Sequence, residues 1–501
     1  AFSATNVCAE DWAISSKETI TDELISRDNV TVATDGNITV SGNNSGIISN
    51  GNFTMEDGSL TASSNGGSAD TGVFVRGENS SVTIKNGTIN LTEARIAKGE
   101  EDTDTTGDVN ISGGKITLNN QAYIEMYDTN TGSVNLNGGE LNINDNSGIL
   151  LDGANNFTMT GGTLTATSNG NSADTGVFVK GDGADVNIQG GNINLTDSRI
   201  YKGNDTATSG DINISGGNIT LNKNAYIEMR KENTGNVNMT GGKLVMNENS
   251  GLLLNTNDNQ EIDGNAIKLI INGDDATITA NGSNQISGDI DFTKGTITVA
   301  NGASLTSGDI AMNSENAKID LSGKLDTNVS GSGNLCFKSS AANISGNVTG
   351  SNLTFEADHS LSKAIGGTIG NITALNVSKG TLTYDKDTGS IGNVSVAGGA
   401  GLDIGTNKLT ATTVDFADNS TLGLKVASAD NYGQINANTI KIGNDTTMKV
   451  TLDSGVVANG ETKDFNFLQG NVTGDFTNKI ADNNRYDISF EDGSFKITGT
   501  A

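Results

Sequence analysis

Proline is absent from all 501 residues, and aromatic residues make up only 4% of the chain. Proline cannot donate a backbone hydrogen bond to a sheet, so chains built from central strands avoid it. The scarcity of aromatic rings leaves aliphatic side chains to fill any interior. No apolar run is long enough to cross a bilayer as a helix. These shortages favour a narrow, all-β architecture and predict no transmembrane segment.

Basic residues are also in short supply. Lys and Arg total 30 against 59 Asp and Glu, which gives a formal net charge of −29. Phosphate backbones and anionic membrane surfaces repel such a chain, so we expect no nucleic-acid partner. The same charge keeps a long, strand-rich protein soluble.

Cysteine and histidine are too few to support the usual catalytic or metal sites. Cys8 and Cys336 lie far apart in the sequence, so an internal disulfide is not expected, although the Cys8 region is able to bridge to another molecule. The single histidine, His359, adjoins Asp358, which places the two side chains on opposite faces of a strand. No G-x-S-x-G motif accompanies it. We therefore predict a surface-loop histidine, no enzyme activity and no cofactor.

The densest acidic loop is "KGEEDTDTTGD", which contains Glu100, Glu101, Asp102 and Asp104. A calcium site is one interpretation of this loop. Its duplicate, "KGNDTATSGD", loses most of these carboxylates, which favours the alternative of a solvated charged loop. No metal site is predicted.

A long internal repeat dominates the sequence. "SADTGVFVRG" at 68–77 returns as "SADTGVFVKG" at 172–181, and "AYIEM" at 122–126 returns at 225–229. These offsets of 103 to 104 positions indicate that one long unit was duplicated nearly whole. Repeats of this kind decide the fold class before any local feature does.

A shorter unit lies inside the long one. Its core is two apolar-x-apolar segments around a glycine turn, as in "VNISGGKITL" at 109–118, and a third short strand follows. The last glycine of each turn falls at 58, 87, 114, 139, 162, 191, 217 and 242, so the spacing is 23 to 29 residues. Glycine at such corners fits a positive φ. Three strands per unit predict one coil of a parallel β-helix.

Side-chain alternation then separates interior from surface. Val109, Ile111, Ile116 and Leu118 are expected to point inward, and Asn110 and Thr117 outward. Stacked coils align the outward residues into polar columns. One column contains Thr54, Thr83, Asn110, Asn135, Thr158, Asn187, Asn213 and Asn238. Such columns are able to bind ice or glycans, but amide stacking is also an ordinary way to satisfy a solenoid face.

The third face of the coil departs from this polar pattern. If Val73 and Val75 point inward, Phe74 points outward, and the following coils add charged, aromatic and aliphatic residues. The predicted contact stripe consists of Phe74, Arg95, Tyr123, Glu125, Leu150, Phe178, Arg199, Tyr226, Glu228 and Leu253. Aromatic, arginine and leucine side chains together are typical of contact surfaces. The alternative is that loops cover this face and make it part of the core.

Four regions follow from these patterns. Residues 1–35 are less periodic and are predicted to form an N-terminal cap. Residues 36–255 are the regular coils, and residues 256–415 are looser coils. Residues 416–501 form a different C-terminal β segment. The predicted fold is thus an all-β, single-stranded parallel β-helix of roughly 18–20 coils, capped at both ends.

The C-terminal segment resembles the autochaperone region of bacterial type V autotransporter passenger domains. The matching residues are Tyr432, Gly433, Gln434, Ile435, Phe465, Phe467, Leu468, Gly474, Phe476, Tyr486 and Ile488. The resemblance implies a right-handed β-helix that is secreted across the outer membrane. In that family an outer-membrane barrel follows the passenger, and the sequence printed here stops at Ala501 before such a region. We expect a released or trimmed passenger.

The predicted function is adhesion or self-association at the bacterial cell surface. The resemblance implies as partners either a second copy of the chain or surface glycans or proteins. One alternative is a subunit of an extracellular filament, sheath or surface layer that forms by stacking of β-helices. The other is a β-helical polysaccharide lyase or hydrolase. That enzyme would need three or more carboxylates and a Lys or Arg in one groove.

Overall fold

The computed structural model describes residues 10–482 and 484–500. The protein is nearly all β, with 55% strand and 2% helix, and its parallel sheets stack in a solenoid-like arrangement. Two compact units divide at Ile290 and Asp291. The prediction of an all-β, parallel architecture is confirmed at this level. None of the described helices is long and apolar enough to cross a membrane.

The first unit is built from three columns of parallel strands. The first column contains Trp12–Ile14, Val30–Val32, Phe53–Met55, Val82–Ile84, Val109–Ile111, Val134–Leu136, Phe157–Met159, Val186–Ile188, Ile212–Ile214 and Val237–Met239. The second contains Lys17–Thr21, Asn37–Ser41, Ser59–Ser63, Thr88–Thr92, Lys115–Asn119, Glu140–Asn144, Thr163–Thr167, Asn192–Thr196, Asn218–Leu221 and Lys243–Met246. The long strand Leu269–Ala280 pairs with the last member of both columns.

The third column carries the face that sequence analysis singled out. It contains Leu24–Arg27, Gly46–Ser49, Gly72–Val75, Arg95–Lys98, Tyr123–Met126, Gly148–Leu151, Gly176–Val179, Arg199–Lys202, Tyr226–Arg230, Gly251–Thr256 and Ser283–Ile286. Short 3-10 turns at Ser68–Asp70 and Ser172–Asp174 precede two of these strands. Each "SADTGVFV" is therefore one turn followed by one strand.

Alternation along each strand builds the interior. Val109, Ile111, Ile116 and Leu118 are fully buried, as predicted. The eight predicted corner glycines all have positive φ, between 77° and 93°. At Gly139, a Cβ would also lie 2.7 Å from the Gly113 carbonyl carbon of the preceding coil. Close stacking of corners thus requires glycine there for space as well as for conformation.

The polar columns form as predicted, and their amides bond to one another. Asn135 Nδ2 donates to Asn110 Oδ1 at 2.8 Å, and Asn238 Nδ2 donates to Asn213 Oδ1 at 3.0 Å. These side chains stand in register one coil apart. The ladder satisfies its own hydrogen bonds, which favours a structural role over capture of ice or glycans.

Two lysines sit inside the array of aliphatic residues. Lys98 and Lys202 are fully buried, and burial lowers the pKa of each ammonium from 10.5 to about 8. Lys98 Nζ donates to Asn130 Oδ1 at 3.0 Å, and Lys202 Nζ donates to the Gly181 carbonyl at 3.0 Å. Each ammonium group therefore donates a hydrogen bond to a polar group at the corner of its coil. Removing the charge from water opposes this burial.

The second unit is also built mainly from parallel columns. The longest begins with Ile290–Val299 at the boundary and continues through Ala317–Leu321, Asn334–Phe337, Asn352–Phe355, Ile372–Val377, Ile391–Val396, Lys408–Phe416, Gln434–Ile442 and Leu468–Thr473. A second contains Ile310–Met312, Val329–Gly331 and Val348–Thr349, and a third contains Ser304–Ser307, Lys324–Asp326 and Asn343–Ile344. A fourth contains His359–Ser360, Thr381–Thr383, Gly401–Asp403, Thr421–Ser428, Thr447–Leu452 and Asn478–Ala481.

The remaining elements of this unit are short. One helical turn spans Leu361–Ala364, and Asn431–Tyr432 pairs antiparallel with Thr421–Ser428. A three-stranded antiparallel sheet contains Thr462–Phe465, Ser494–Gly499 and Tyr486–Glu491. A hairpin at Asp492 and Gly493, both with positive φ, connects its last two strands, as a type I′ turn requires.

The predicted regions and the structural units do not share boundaries. Residues 10–35, assigned to a cap, already contribute strands that pair in parallel with the next coil, beginning with Trp12 against Val30. The changes in repeat pattern that the sequence suggests after residues 255 and 415 stay predictions. Cys8 lies outside the described residues, and Cys336 is a buried free thiol whose pKa is raised by burial.

Candidate binding cleft

The third-column face of the first unit presents two rows of side chains away from the interior. One row aligns Gly72, Arg95, Tyr123 and Gly148, and it repeats as Gly176, Arg199, Tyr226 and Gly251. The other aligns Phe74, Ala97, Glu125 and Leu150, and it repeats as Phe178, Tyr201, Glu228 and Leu253. The duplication in the sequence therefore places equivalent side chains at two positions along this face.

This register corrects the predicted stripe. Arg95 aligns with Gly72, two positions before Phe74, and Arg199 aligns with Gly176. The physical reason is close backbone approach at the glycine. Gly72 has a φ of +134°, and a Cβ there would lie 1.9 Å from the Arg95 carbonyl oxygen. The ten predicted residues share one face, but in two rows.

The expectation that the phenylalanines point into solvent is wrong. Phe74 is 3% exposed and Phe178 is 7% exposed. The Arg76 guanidinium lies 5.6 Å from the Phe74 ring, and the Tyr201 ring lies 6.0 Å from that of Phe178. The alternative of a covered face holds for these two rings, whereas Tyr123, Leu150, Tyr226 and Leu253 remain partly exposed.

In each copy of the repeat an arginine, here called the arginine clamp, holds the "SAD" turn. In the first copy Arg95 Nε donates to the Ser68 carbonyl at 2.7 Å, and another nitrogen of its guanidinium pairs with Glu125. The Arg95 guanidinium also lies 5.3 Å from the Tyr123 ring. The clamp ties the 3-10 turn, and hence the loop that contains it, onto the third-column face. Burial raises the pKa of the Glu125 carboxyl, and the nearby Arg95 opposes that rise.

The second copy repeats the clamp with more partners. Arg199 Nε donates to the Ser172 carbonyl at 2.8 Å, and the guanidinium pairs with the fully buried Glu228. Thr256 Oγ1 donates to the other carboxylate oxygen at 2.7 Å, and Gln260 accepts from Arg199 at 3.3 Å. A buried ion pair whose oxygens are all bonded fixes geometry more than it adds stability.

A cleft of about 530 Å³ opens beside this second clamp. Its walls combine rings, amides and charged groups. The lining residues are Gln121, Tyr123, Asn146, Leu150, Ala173, Asp174, Phe178, Lys180, Arg199, Tyr201, Arg230 and Gln260. Gln121, Asp174 and Gln260 are exposed, so the cleft communicates with solvent. Burial raises the pKa of the Tyr201 hydroxyl to about 12, which keeps it a neutral donor.

Arg230 is the second buried arginine that lines the cleft. Its side chain is 6% exposed, and it pairs with Asp205 at 2.8 Å and with Asp258. Its Nε has no hydrogen-bond partner, although Glu232 Oε2 lies 3.7 Å away, and that oxygen is also unpartnered. A buried donor without a partner costs roughly 1–3 kcal/mol. Arg230, which lines the cleft, thus has a buried Nε without a hydrogen bond.

Four residues of the predicted stripe line the cleft: Tyr123, Leu150, Phe178 and Arg199. Sequence reasoning identified these residues as a stripe but did not predict a cleft. It missed Lys180, Tyr201, Arg230 and Gln260. The available signal was the difference between the two copies. Ala97 corresponds to Tyr201, Arg76 to Lys180, and Tyr127 to Arg230. Gln260 lies in a loop that the repeat pattern does not cover.

The other predicted chemical groups do not assemble into a site. Glu101, Asp102 and Asp104 are exposed, and no group of three potential metal ligands occurs anywhere in residues 10–482 or 484–500. His359 is 9% exposed, so its assignment to a surface loop is wrong. Its Nε2 lies 2.6 Å from the Ala342 carbonyl and its Nδ1 accepts from the Ser360 amide at 2.9 Å. The imidazole packs at the edges of Phe337 and Phe355, as a core group.

The autochaperone-like residues divide between two aromatic clusters. Tyr432, Phe465 and Phe467 contact one another with ring centroids 5.3 to 5.7 Å apart. Phe476 instead packs on Phe416 at 5.5 Å, and Tyr486 lies on the small antiparallel sheet. At Gly433 a Cβ would lie 2.3 Å from the Gly405 carbonyl oxygen, so this position has no space for a side chain.

No protein-family model matches the chain, and no curated protein matches it.

Proposed function

We propose that this protein is a non-enzymatic cell-surface protein that acts in adhesion or self-association. The observation that supports this most is the duplicated third-column face. Two arginine clamps of the same design hold it, and in the second copy it opens into a solvent-accessible cleft. Rigid strands hold the side chains of this face, as preorganised recognition requires.

For the fold we propose a single-stranded, right-handed parallel β-helix of roughly 18–20 coils. The three-column register of the first unit supports it, because each strand pairs with its equivalent one coil away. The handedness comes from the resemblance and from the preference of parallel crossovers.

We further propose that the chain is the passenger of a type V autotransporter, secreted across the outer membrane. The support is the C-terminal motif and the aromatic cluster of Tyr432, Phe465 and Phe467 that it forms. If this segment nucleates folding, deleting residues 416–501 leaves a chain that refolds slowly from urea. Refolding of residues 1–415 as fast as the full chain, followed by circular dichroism, would count against the assignment.

The adhesive function is tested with coated particles. Latex beads that carry the full chain are expected to clump with one another or to attach to glycan-bearing cells, whereas beads that carry serum albumin do neither. Sedimentation velocity on the free protein separates the two routes, because only self-association changes its molecular mass. Beads that neither clump nor attach would remove the proposal.

A filament or surface-layer subunit is the second candidate. Among the described residues, the strands Trp12–Ile14, Lys17–Thr21 and Leu24–Arg27 pair on one side only, and such edges are templates for another chain. Electron microscopy of the concentrated protein distinguishes filaments from particles. The lyase alternative has less support, because Asp174 is the one carboxylate among the residues that line the cleft, and the nearby Glu228, Asp205 and Asp258 are paired with its arginines.

A further inference from the structure

The cleft beside the second clamp has the size and the composition of a small-molecule site. Its volume of about 530 Å³ lies within the roughly 300–1,000 Å³ that such sites occupy. The rings of Tyr123, Phe178 and Tyr201 supply apolar surface, and the amides of Gln121 and Asn146 supply donors and acceptors. A sugar ring has a C–H face that packs on aromatic carbon and an edge of hydroxyls that bonds to amides.

The residues that line the cleft include more cations than carboxylates, although each arginine is paired with a carboxylate outside the lining. The protein has a formal net charge of −29, yet the lining contains three cations, Lys180, Arg199 and Arg230, against the single carboxylate of Asp174. Arg199 is fully engaged by Glu228, Ser172 and Gln260. It therefore acts as a positioning residue, which leaves the Lys180 ammonium and the Nε of Arg230 as the donors for a ligand.

Those two cations have unused capacity. The Lys180 ammonium makes no hydrogen bond or ion pair among the described residues, although its charge opposes the rise in pKa that burial causes at the Asp152 carboxyl. The Arg230 Nε is buried without a hydrogen-bond partner, and Glu232 Oε2 lies 3.7 Å from it. Asp205 and Asp258, which pair with Arg230, have side chains 70% and 72% exposed. Because the Arg230 cation itself is buried, a ligand carboxylate has to take the place of one of these two partners rather than leave the charge unpaired. A carboxylate bonded to both cations gains charge-assisted hydrogen bonds that the empty cleft lacks.

We propose that this cleft binds an acidic saccharide, a short oligosaccharide with a carboxylate on at least one sugar ring. The proposal rests on the adhesive function, since it names the class of ligand that the adhesive face recognises. Tyr201 packs against the sugar, and Lys180 and Arg230 bind the carboxylate.

The first copy of the repeat supplies matched replacements. Ala97 stands where Tyr201 stands, and Tyr127 stands where Arg230 stands. Tyr201→Ala and Arg230→Tyr therefore introduce side chains that the same backbone accommodates one repeat earlier. Lys180→Met removes the unpaired ammonium from a partly exposed site, so it leaves the fold intact if the arginine variant does not fold. Lys85→Met, at an exposed lysine paired with Glu56 outside the cleft, is the control.

The test is calorimetric titration of the full chain with three probes. They are a tetrasaccharide that contains glucuronic acid, its carboxyl-reduced form, and a trisaccharide that ends in N-acetylneuraminic acid. The two acidic probes show whether the sugar that carries the carboxylate is glucuronic acid or N-acetylneuraminic acid. We expect at least one of them to bind, with the carboxyl-reduced form about tenfold weaker or more. Lys180→Met, Arg230→Tyr and Tyr201→Ala each weaken binding about tenfold, and Lys85→Met does not.

Three results would overturn the inference: no heat from either acidic probe at millimolar concentration, equal affinity for the reduced probe, or full affinity in the folded Lys180→Met variant. Failure of the adhesive function shows itself separately. If the acidic probe binds but coated beads neither clump nor attach, the ligand assignment stands and adhesion fails. If beads adhere and no probe binds, adhesion stands and the ligand assignment fails.

Discussion

Replacing the buried Lys202 by methionine tests how the interior tolerates charge. Lys202 is fully buried, and burial lowers the pKa of its ammonium from 10.5 to about 8. In the same interior row the next coil contains Met229. The substitution therefore copies a side chain of similar volume that the adjacent coil already holds. Its cost is the hydrogen bond to the Gly181 carbonyl.

The lowered pKa makes the free energy of unfolding depend on pH. Between pH 8 and 10.5 an unfolded lysine keeps its proton, whereas folded Lys202 has released it. Because the unfolded state then binds more protons, stability rises with pH at about 1.4 kcal/mol per pH unit. The whole rise is about 3 kcal/mol, and below pH 8 the charged ammonium costs the folded protein that amount at every pH.

Urea unfolding followed by circular dichroism at pH 7.0 to 9.5 measures this dependence. We expect the wild-type protein to gain stability from pH 8 upward. Lys202→Met loses about 1.4 kcal/mol per pH unit of that slope, and Lys115→Met, at an exposed lysine, keeps all of it. The range stops at 9.5 because unfolded tyrosines begin to ionise above it. Equal slopes for Lys202→Met and the wild type would refute the reasoning.

Three further predictions concern packing and local structure. Phe178→Ala is expected to lower the free energy of unfolding by about 3–5 kcal/mol, because the ring is buried and packs beside Tyr201; a loss below 1 kcal/mol in urea unfolding would mean that the ring is exposed. Arg199→Met leaves Glu228 buried without its cation, at a cost of about 3–5 kcal/mol, whereas Arg199→Met combined with Glu228→Leu recovers most of it; a double variant as unstable as the single one would argue against the clamp. Gly493→Val is expected to destabilise the C-terminal hairpin by about 1–3 kcal/mol, since its φ is +78°; unchanged hydrogen exchange of the flanking strands would contradict the turn assignment.

The repeat and its alternation were sufficient to predict much of the architecture. A parallel array needs each coil to place apolar residues at the same positions, so its period is written directly into the chain, as in Val109, Val134 and Phe157. The corner glycines were predictable for the same reason, because a positive φ strongly favours one residue type. The polar ladder followed from side-chain alternation. Each of these features depends on contacts between equivalent positions of successive coils, and the repeat identifies those positions in the sequence.

What the tertiary structure decided is how the two rows of the third face align and what covers them. Phe74 alternates with two buried valines, so period alone assigned it to solvent, yet in the folded chain the ring is 3% exposed and the Arg76 guanidinium lies 5.6 Å from it. The cleft likewise depends on Arg230 and Gln260, which come from a later coil and from a loop without repeat equivalence. The alternation of residues along a strand indicates which side of that strand a side chain points to. Burial depends on what other segments place above it, and that is a property of the folded chain alone.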